Sequence, residues 1–156
     1  MIATFRFHKV RERLWDTDNQ WLAAGLILAV TLLLFLPGLG DRHIWTPLEA
    51  RYAMVSREMW QSGDWIVPHI GGMVYPDKPP MLFWSIVLLS YLGSGVTEWT
   101  ARLPSALAAV STCLVTWRMG ARLFSPRAGL LAALVLTTSA GFFWSGRQAL
   151  PDMLLT

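Results

Sequence analysis

Residues 21–39 are almost uninterrupted in apolar side chains, a run of about the length that crosses a ~30 Å hydrocarbon core as one helix. Three further apolar stretches follow, at 81–96, 99–117 and 128–144, and the intervening 46–80 is polar and crowded with charges and aromatic rings. Charge decides how many of them span. The flank before residue 21 carries Arg6, Lys9, Arg11 and Arg13, and excess Lys and Arg near a span favours the cytoplasmic side, so the N-terminus is expected inside. If all three later stretches spanned, segment 118–127, with three Arg and no acid, would face outward against that tendency. Stretch 81–96 is the shortest of the three, carries Ser85, Ser90, Tyr91 and Ser94, and closes in glycines, which suits an interfacial helix. Placing it at the interface returns the basic segment to the inside. The pattern therefore predicts an all-α integral membrane fold with a cytoplasmic segment 1–20 and spans at 21–39, 99–118 and 127–145. An extracytoplasmic loop, 40–98, holds juxtamembrane helices at about 47–61 and 80–95, segment 119–126 is a cytoplasmic loop, and 146–156 begins a second outer loop.

Composition agrees with the pattern. At 54% hydrophobic residues, mean hydropathy +0.42 and nine Trp in 156 residues, the chain is too apolar for an ordinary soluble domain. The net charge of +3 is small and unevenly spread, which speaks to membrane orientation and not to nucleic acid. A single cysteine, Cys113, excludes an intrachain disulfide. The basic flank and apolar run share the layout of a signal peptide. The run is long, however, and no small-x-small cleavage site follows Leu39, so an uncleaved anchor is expected. No internal repeat and no Gly-rich phosphate loop is present.

Within the outer loop, Thr46-Pro47-Leu48-Glu49 reads as a helix start, with a Thr cap, Pro at the first helical position and Glu at the capping-box spacing. Leu48, Tyr52, Val55 and Met59 then recur on one helical face to about Gln61, and Gly63 is placed to end the helix. Residues 65–70 are short and β-branched, and Gly71-Gly72 and the proline-rich 76–80 predict extended, turn-rich backbone.

Each ionisable residue here has a structural explanation beside a chemical one. Glu49 closes a capping box or acts in chemistry; Asp77-Lys78 is a solvated turn pair or a site; Asp152, after Pro151, caps the helix begun by Met153 or serves as a second acid. His43 and His69 read most simply as interfacial residues, and Trp45, Trp60, Trp65, Trp84 and Trp99 as an aromatic belt. With three spans, Glu49, Asp77, Lys78, Arg147 and Asp152 share one face of the membrane. Acids beside a low-dielectric boundary can act as general bases, and neighbouring Lys or Arg can hold a phosphate.

The ordered segments EARYAMVSREMWQSGDWIVPHIGGMVYPDKPPMLFW, TEWTARLPSAL, GARLFSPRAGLLAAL and RQALPDMLLT resemble the N-terminal part of the GT-C membrane glycosyltransferases. The resemblance is to the aminoarabinose (lipid A) transferases and the related protein O-mannosyltransferase-like enzymes. It implies a transmembrane helical scaffold in a cytoplasmic (inner) membrane, two juxtamembrane helices in the first outer loop, and a sugar donor linked to polyprenyl phosphate. It implies a lipid, protein or glycan acceptor as partner and no nucleic acid. By motif, Glu49 falls in the acidic element of the first loop with Arg51 and Tyr52 beside it; Asp77-Lys78-Pro79-Pro80 matches an acid-Lys-Pro-Pro element whose lysine lies near the donor phosphate; Asp152 matches the second acidic site. Glu49 and Asp152 are thus the candidate catalytic residues, and Lys78, Arg51, Tyr52 and Arg147 the candidate substrate-binding residues. A divalent metal is the one candidate cofactor, with Asp77 a candidate ligand. Two features depart from the family pattern. Leu48 stands where members often carry Asp, and the similar enzymes are several times longer, so the chain is expected to be an N-terminal piece. The expected activity is sugar transfer at the extracytoplasmic face; the alternative is a non-catalytic membrane module that binds lipid phosphate or a partner helix.

Overall fold

The computed structural model describes residues 17–44 and 46–156, with side chains from Gln20 onward. The basic flank Arg6, Lys9, Arg11 and Arg13, and Trp45, lie outside the described residues. The chain runs through α1 (Thr17–Phe35), α2 (Pro47–Ser62), strands β1 (His69–Ile70) and β2 (Met73–Val74), α3 (Met81–Ser90), α4 (Glu98–Leu123), α5 (Pro126–Thr138), α6 (Ala140–Gly146) and a 3-10 turn at Pro151–Leu154. It is mostly helical, and the small hairpin is the exception to an all-α fold.

Helix α1 ends at Phe35, before the predicted 39, because Pro37 disfavours helical backbone just ahead of it and Gly38 turns the chain at φ +68°. Its Ile27, Thr31 and Phe35 are buried at i, i+4 and i+8 against α4, while Trp21, Leu22 and Leu33 point outward. Helix α4 begins behind a capping box made by Thr97 and Thr100 and continues five residues past the predicted 118. The predicted loop 119–126 shrinks to Phe124-Ser125. Two glycines permit this: a Cβ on Gly120 would lie 2.7 Å from the Gly129 Cα, so the α4 and α5 backbones approach as closely as they do only without side chains there. Ser125 caps α5, accepting the Ala128 N–H at 3.2 Å.

The predicted span 127–145 is broken. Helices α5 and α6 are bent by 68° where Ser139 takes extended backbone, and the Thr137 and Thr138 hydroxyls ahead of the break donate to the Ala133 and Leu134 carbonyls. Among the described residues no single helix is long and apolar enough to cross a bilayer, whereas α5 and α6 together are.

The elements between α1 and α4 fold onto one end of this bundle. Helix α2 has Thr46 and Gly63 as its caps, the latter at φ +73°. Its Tyr52, Val55 and Met59 form one cluster with Phe83, Ile86 and Val87 of α3. Helix α3 stops at Ser90, short of the predicted 95, since residues 91–94 turn and Gly95 adopts φ +115°. Gly71 and Gly72, at φ +60° and +77°, make the two-residue turn of the hairpin, whose register pairs His69 with Val74. The Glu58 carboxylate accepts both of their N–H groups, at 2.6 and 3.3 Å, and ties the hairpin to α2.

Candidate functional site

The centre of the α2 end of the bundle is a buried ion pair. Glu49 and Arg102 are each only 2% exposed, and Arg102 meets the carboxylate with two parallel bonds, Nε to Oε1 at 2.7 Å and Nη2 to Oε2 at 3.1 Å. Its other three N–H groups donate to the carbonyls of Leu39 and Arg42 at 2.6 Å and of His43 at 3.2 Å. All five guanidinium donors are therefore used. The Ala149 N–H adds a third bond to Glu49 Oε1 at 3.0 Å, so one carboxylate joins α2, α4, the turn after α1 and the segment before Asp152. Ser105 of α4 fastens that same segment by donating to the Leu150 carbonyl at 3.1 Å.

This geometry revises the capping-box reading of Glu49. Thr46 does accept the Glu49 N–H, at 3.3 Å, but the Glu49 side chain turns away from the helix start to Arg102. Asp152 is not a cap either: the 3-10 turn begins at Pro151 with Leu150 in the cap position, and Asp152 is an exposed residue of its first turn.

Beside the pair lies a cavity of about 350 Å³ lined by Asp41, Arg42, His43, Thr46, Glu49, Arg102, Trp144 and Gln148. Arg42 stacks over the Trp144 ring at 5.3 Å, and His43, almost fully exposed, has Nδ1 3.8 Å from Glu98. Arg147 donates to the Leu34 and Pro37 carbonyls, at 2.7 and 2.6 Å, and so closes the end of α1. Burial, reinforced by the charges of Arg42 and Arg102, holds Arg147 below the usual arginine value.

Tyr52 sits in the adjoining cluster, 3% exposed, with its ring 6.0 Å from Phe83. Burial raises its phenol above the ordinary value; Tyr75 and the Asp152 carboxylate push the same way, and Arg51 opposes them. Glu49, Tyr52 and Asp152 are thus gathered at one end of the bundle, with Asp152 three residues beyond the amide that binds Glu49, a chain reach of about 10 Å. Lys78 and Asp77 are exposed on the segment between buried Tyr75 and α3, and Lys78 follows Tyr75 at the same reach of about 10 Å. Among the described residues Lys78 forms no ion pair. Arg51 is exposed on α2. No three His, Cys, Asp or Glu side chains come together among the described residues, so these residues do not by themselves build a metal site.

Arg102 was not singled out by the sequence reading, although it stands in TEWTARLPSAL. Its signal was present: an arginine within an apolar stretch needs a partner, and Glu49 is the acid the fold supplies. Arg42, Trp144 and Gln148 gave no comparable signal, since only the fold brings the turn after α1 to the end of α6.

The chain is thus a helical bundle closed at one end by a loop subdomain, where acids and cations gather. The profile of the dolichyl-phosphate-mannose-protein mannosyltransferase family matches residues 77–156, just over half the chain. The chain belongs to that family. It is 36% identical over 138 residues to the undecaprenyl phosphate-alpha-4-amino-4-deoxy-L-arabinose arabinosyl transferase of Edwardsiella ictaluri, covering 87% of this chain and 24% of that protein. The enzyme of the same name from Pectobacterium carotovorum is 37% identical over 136 residues, 86% of this chain and 24% of its own. The crystal structure of ArnT from Cupriavidus metallidurans bound to undecaprenyl phosphate superposes with a TM-score of 0.79 at 34% identity, over 87% of this chain and 25% of that one. Its apo state gives 0.75 at 33%, over 90% and 26%. The chain spans about a quarter of the length of these relatives.

Proposed function

We propose that this chain supplies one wall of a glycosyltransferase site at the extracytoplasmic face of a cytoplasmic membrane, acting on a sugar carried by polyprenyl phosphate. The observation that carries the reading is the convergence of Glu49, Arg102, Tyr52 and the 147–152 segment at one end of a fold shared with a transferase solved with undecaprenyl phosphate bound. In this reading α1, α4 and the bent pair α5–α6 span the membrane, the N-terminus lies inside, and α2 and α3 rest at the outer interface.

An acceptor hydroxyl or phosphate oxygen attacks the anomeric carbon, the bond from that carbon to the phosphate oxygen breaks, and polyprenyl phosphate leaves. Lys78, exposed and without an ion-pair partner among the described residues, binds the leaving phosphate and stabilises the charge that grows on it, helped by Arg51. Arg147 has two of its nitrogens on carbonyls, which makes it a support of the cavity wall ahead of a phosphate ligand. Glu49 is occupied by three donors, so the carboxylate with free capacity to accept an acceptor's proton is Asp152. A divalent cation, if the reaction uses one, needs ligands beyond the described cluster, and Asp77 is the exposed candidate.

One observation favours the alternative of a phosphate-binding module without turnover. Leu48, half-exposed on the first turn of α2, stands where the resemblance implies that members often carry Asp, and Glu49 is committed to Arg102. Reconstituted protein given a radiolabelled polyprenyl-phosphate sugar separates the two. Turnover abolished by Lys78→Ala supports the transferase; donor binding without turnover in the unmodified chain supports the module and overturns the enzyme.

A further inference from the structure

A second cavity, of about 460 Å³, opens between α1 and α4 and is lined by Gln20, Trp21, Ala24, Trp117 and Arg118. Arg118 is sixteen residues beyond Arg102 on the same helix, about 24 Å along its axis at 1.5 Å per residue, so this cavity lies at the opposite end of the bundle from Glu49. Three observations describe what it could take. Trp117 is 8% exposed, and its indole N–H is buried without a hydrogen-bond partner among the described residues. Arg118 is exposed and held by the Gln20 side chain, Nη1 to Oε1 at 3.2 Å. Among the described side chains the surroundings are basic: Arg122 and Arg127 are exposed at the same end, and no Asp or Glu stands between Glu98 and Asp152 in the sequence, while Asp16 and Asp18 precede Gln20.

Trp21, 78% exposed, borders the cavity with an amphipathic ring of the kind that settles at headgroup depth. A groove with apolar walls, a guanidinium at its mouth and a spare N–H donor matches a phosphodiester that trails acyl chains. Basic pockets between helices at the cytoplasmic leaflet bind anionic headgroups for this reason. We infer that the α1–α4 groove at Arg118 binds the phosphate of an anionic phospholipid, at the membrane face opposite the Glu49 site. This binding is independent of sugar transfer.

Delipidated protein in neutral detergent tests it by thermal unfolding against phosphatidylglycerol, phosphatidylcholine and inorganic phosphate at matched concentrations. Phosphatidylglycerol should raise the midpoint in a saturable way, with the other two inert. Arg118→Gln should weaken the phosphatidylglycerol affinity by at least tenfold and Trp117→Phe by several-fold. Arg122→Gln, which removes an equal charge outside the cavity, should leave it unchanged. Equal stabilisation by phosphatidylcholine, equal losses in Arg118→Gln and Arg122→Gln, or a shift reproduced by inorganic phosphate alone would each overturn the assignment.

Discussion

Replacing Arg102 by Met tests whether the ion pair holds the α2 end of the bundle together. The substitution keeps a long apolar stem in α4 and removes five hydrogen bonds, two to Glu49 and three to carbonyls. Glu49 would then be a buried carboxylate retaining only the Ala149 N–H, and stranding one member of a buried pair costs about 3–5 kcal/mol. Arg42 and His43 are exposed, so water can reach their carbonyls, but Leu39 is 1% exposed and its orphaned carbonyl adds about 1–3 kcal/mol. The expected loss is about 5 kcal/mol, comparable to the whole stability of a small domain. Glu49→Gln should lose less, about 1.5–3 kcal/mol, because its amide oxygen can still accept from Arg102 Nε and Ala149 while its NH2 opposes Nη2. The decisive measurement is a double-mutant cycle with Arg102→Met and Glu49→Leu, read by reversible unfolding in mixed micelles. The double variant should be more stable than the summed single losses by at least about 2 kcal/mol, since an apolar pair leaves no stranded charge. Additive losses, or an Arg102→Met loss below about 1 kcal/mol, would refute the keystone role.

Four further outcomes are expected. Tyr52 titrates above free tyrosine, chiefly from burial, so ultraviolet titration of its phenolate should show Asp152→Asn moving it down toward the ordinary value; no movement would separate Asp152 from this cluster. Because the folded value is the raised one, Tyr52 contributes stability that is fully present below about pH 10 and is lost as pH climbs through the folded value, and Tyr52→Phe should flatten that alkaline loss. Gly129→Ala places a methyl against the Trp117 carbonyl and the Ala121 backbone, so it should cost about 1–3 kcal/mol in thermal or chemical unfolding by forcing α4 and α5 apart. Leu48→Asp introduces an acid at a half-exposed position in the first turn of α2, where a negative charge suits the helix N-terminus; stability should change by less than about 1 kcal/mol while donor turnover rises, and unchanged turnover would count against a catalytic role for that position.

The local rules written in the sequence carried furthest where an element is set by its own residues. Thr46, Pro47 and Gly63 mark the two ends of α2, and the Leu48, Tyr52, Val55, Met59 stripe foretells the face it presents, although Leu48 stays half-exposed. The Gly71-Gly72 turn likewise follows from two residues that alone tolerate paired positive φ angles. Boundaries set by packing were less visible. The extension of α4 to Leu123 depends on Gly120 meeting Gly129 across nine residues of chain, and the bend at Ser139 involves no proline or glycine that hydropathy would flag. At the site, Glu49 was legible as important. Its partner lies 53 residues away and could be named only once the fold had brought α4 against α2.

The burial of the Glu49–Arg102 pair distinguishes the two positions of the Leu48-Glu49 dipeptide, the first of which departs from the acid that the resemblance implies. A carboxylate with three donors on it is a strong joint, and with Arg102 this one fixes the turn carrying Arg42 and His43, the start of α2 and the segment leading to Asp152. Substitution at position 48 leaves all of those bonds untouched, since Leu48 is half-exposed and Glu49 is turned to the interior. The cavity wall and its electrostatics therefore do not depend on the residue at position 48. Substitution at position 49 should therefore cost stability, whereas substitution at position 48 should change it by less than about 1 kcal/mol.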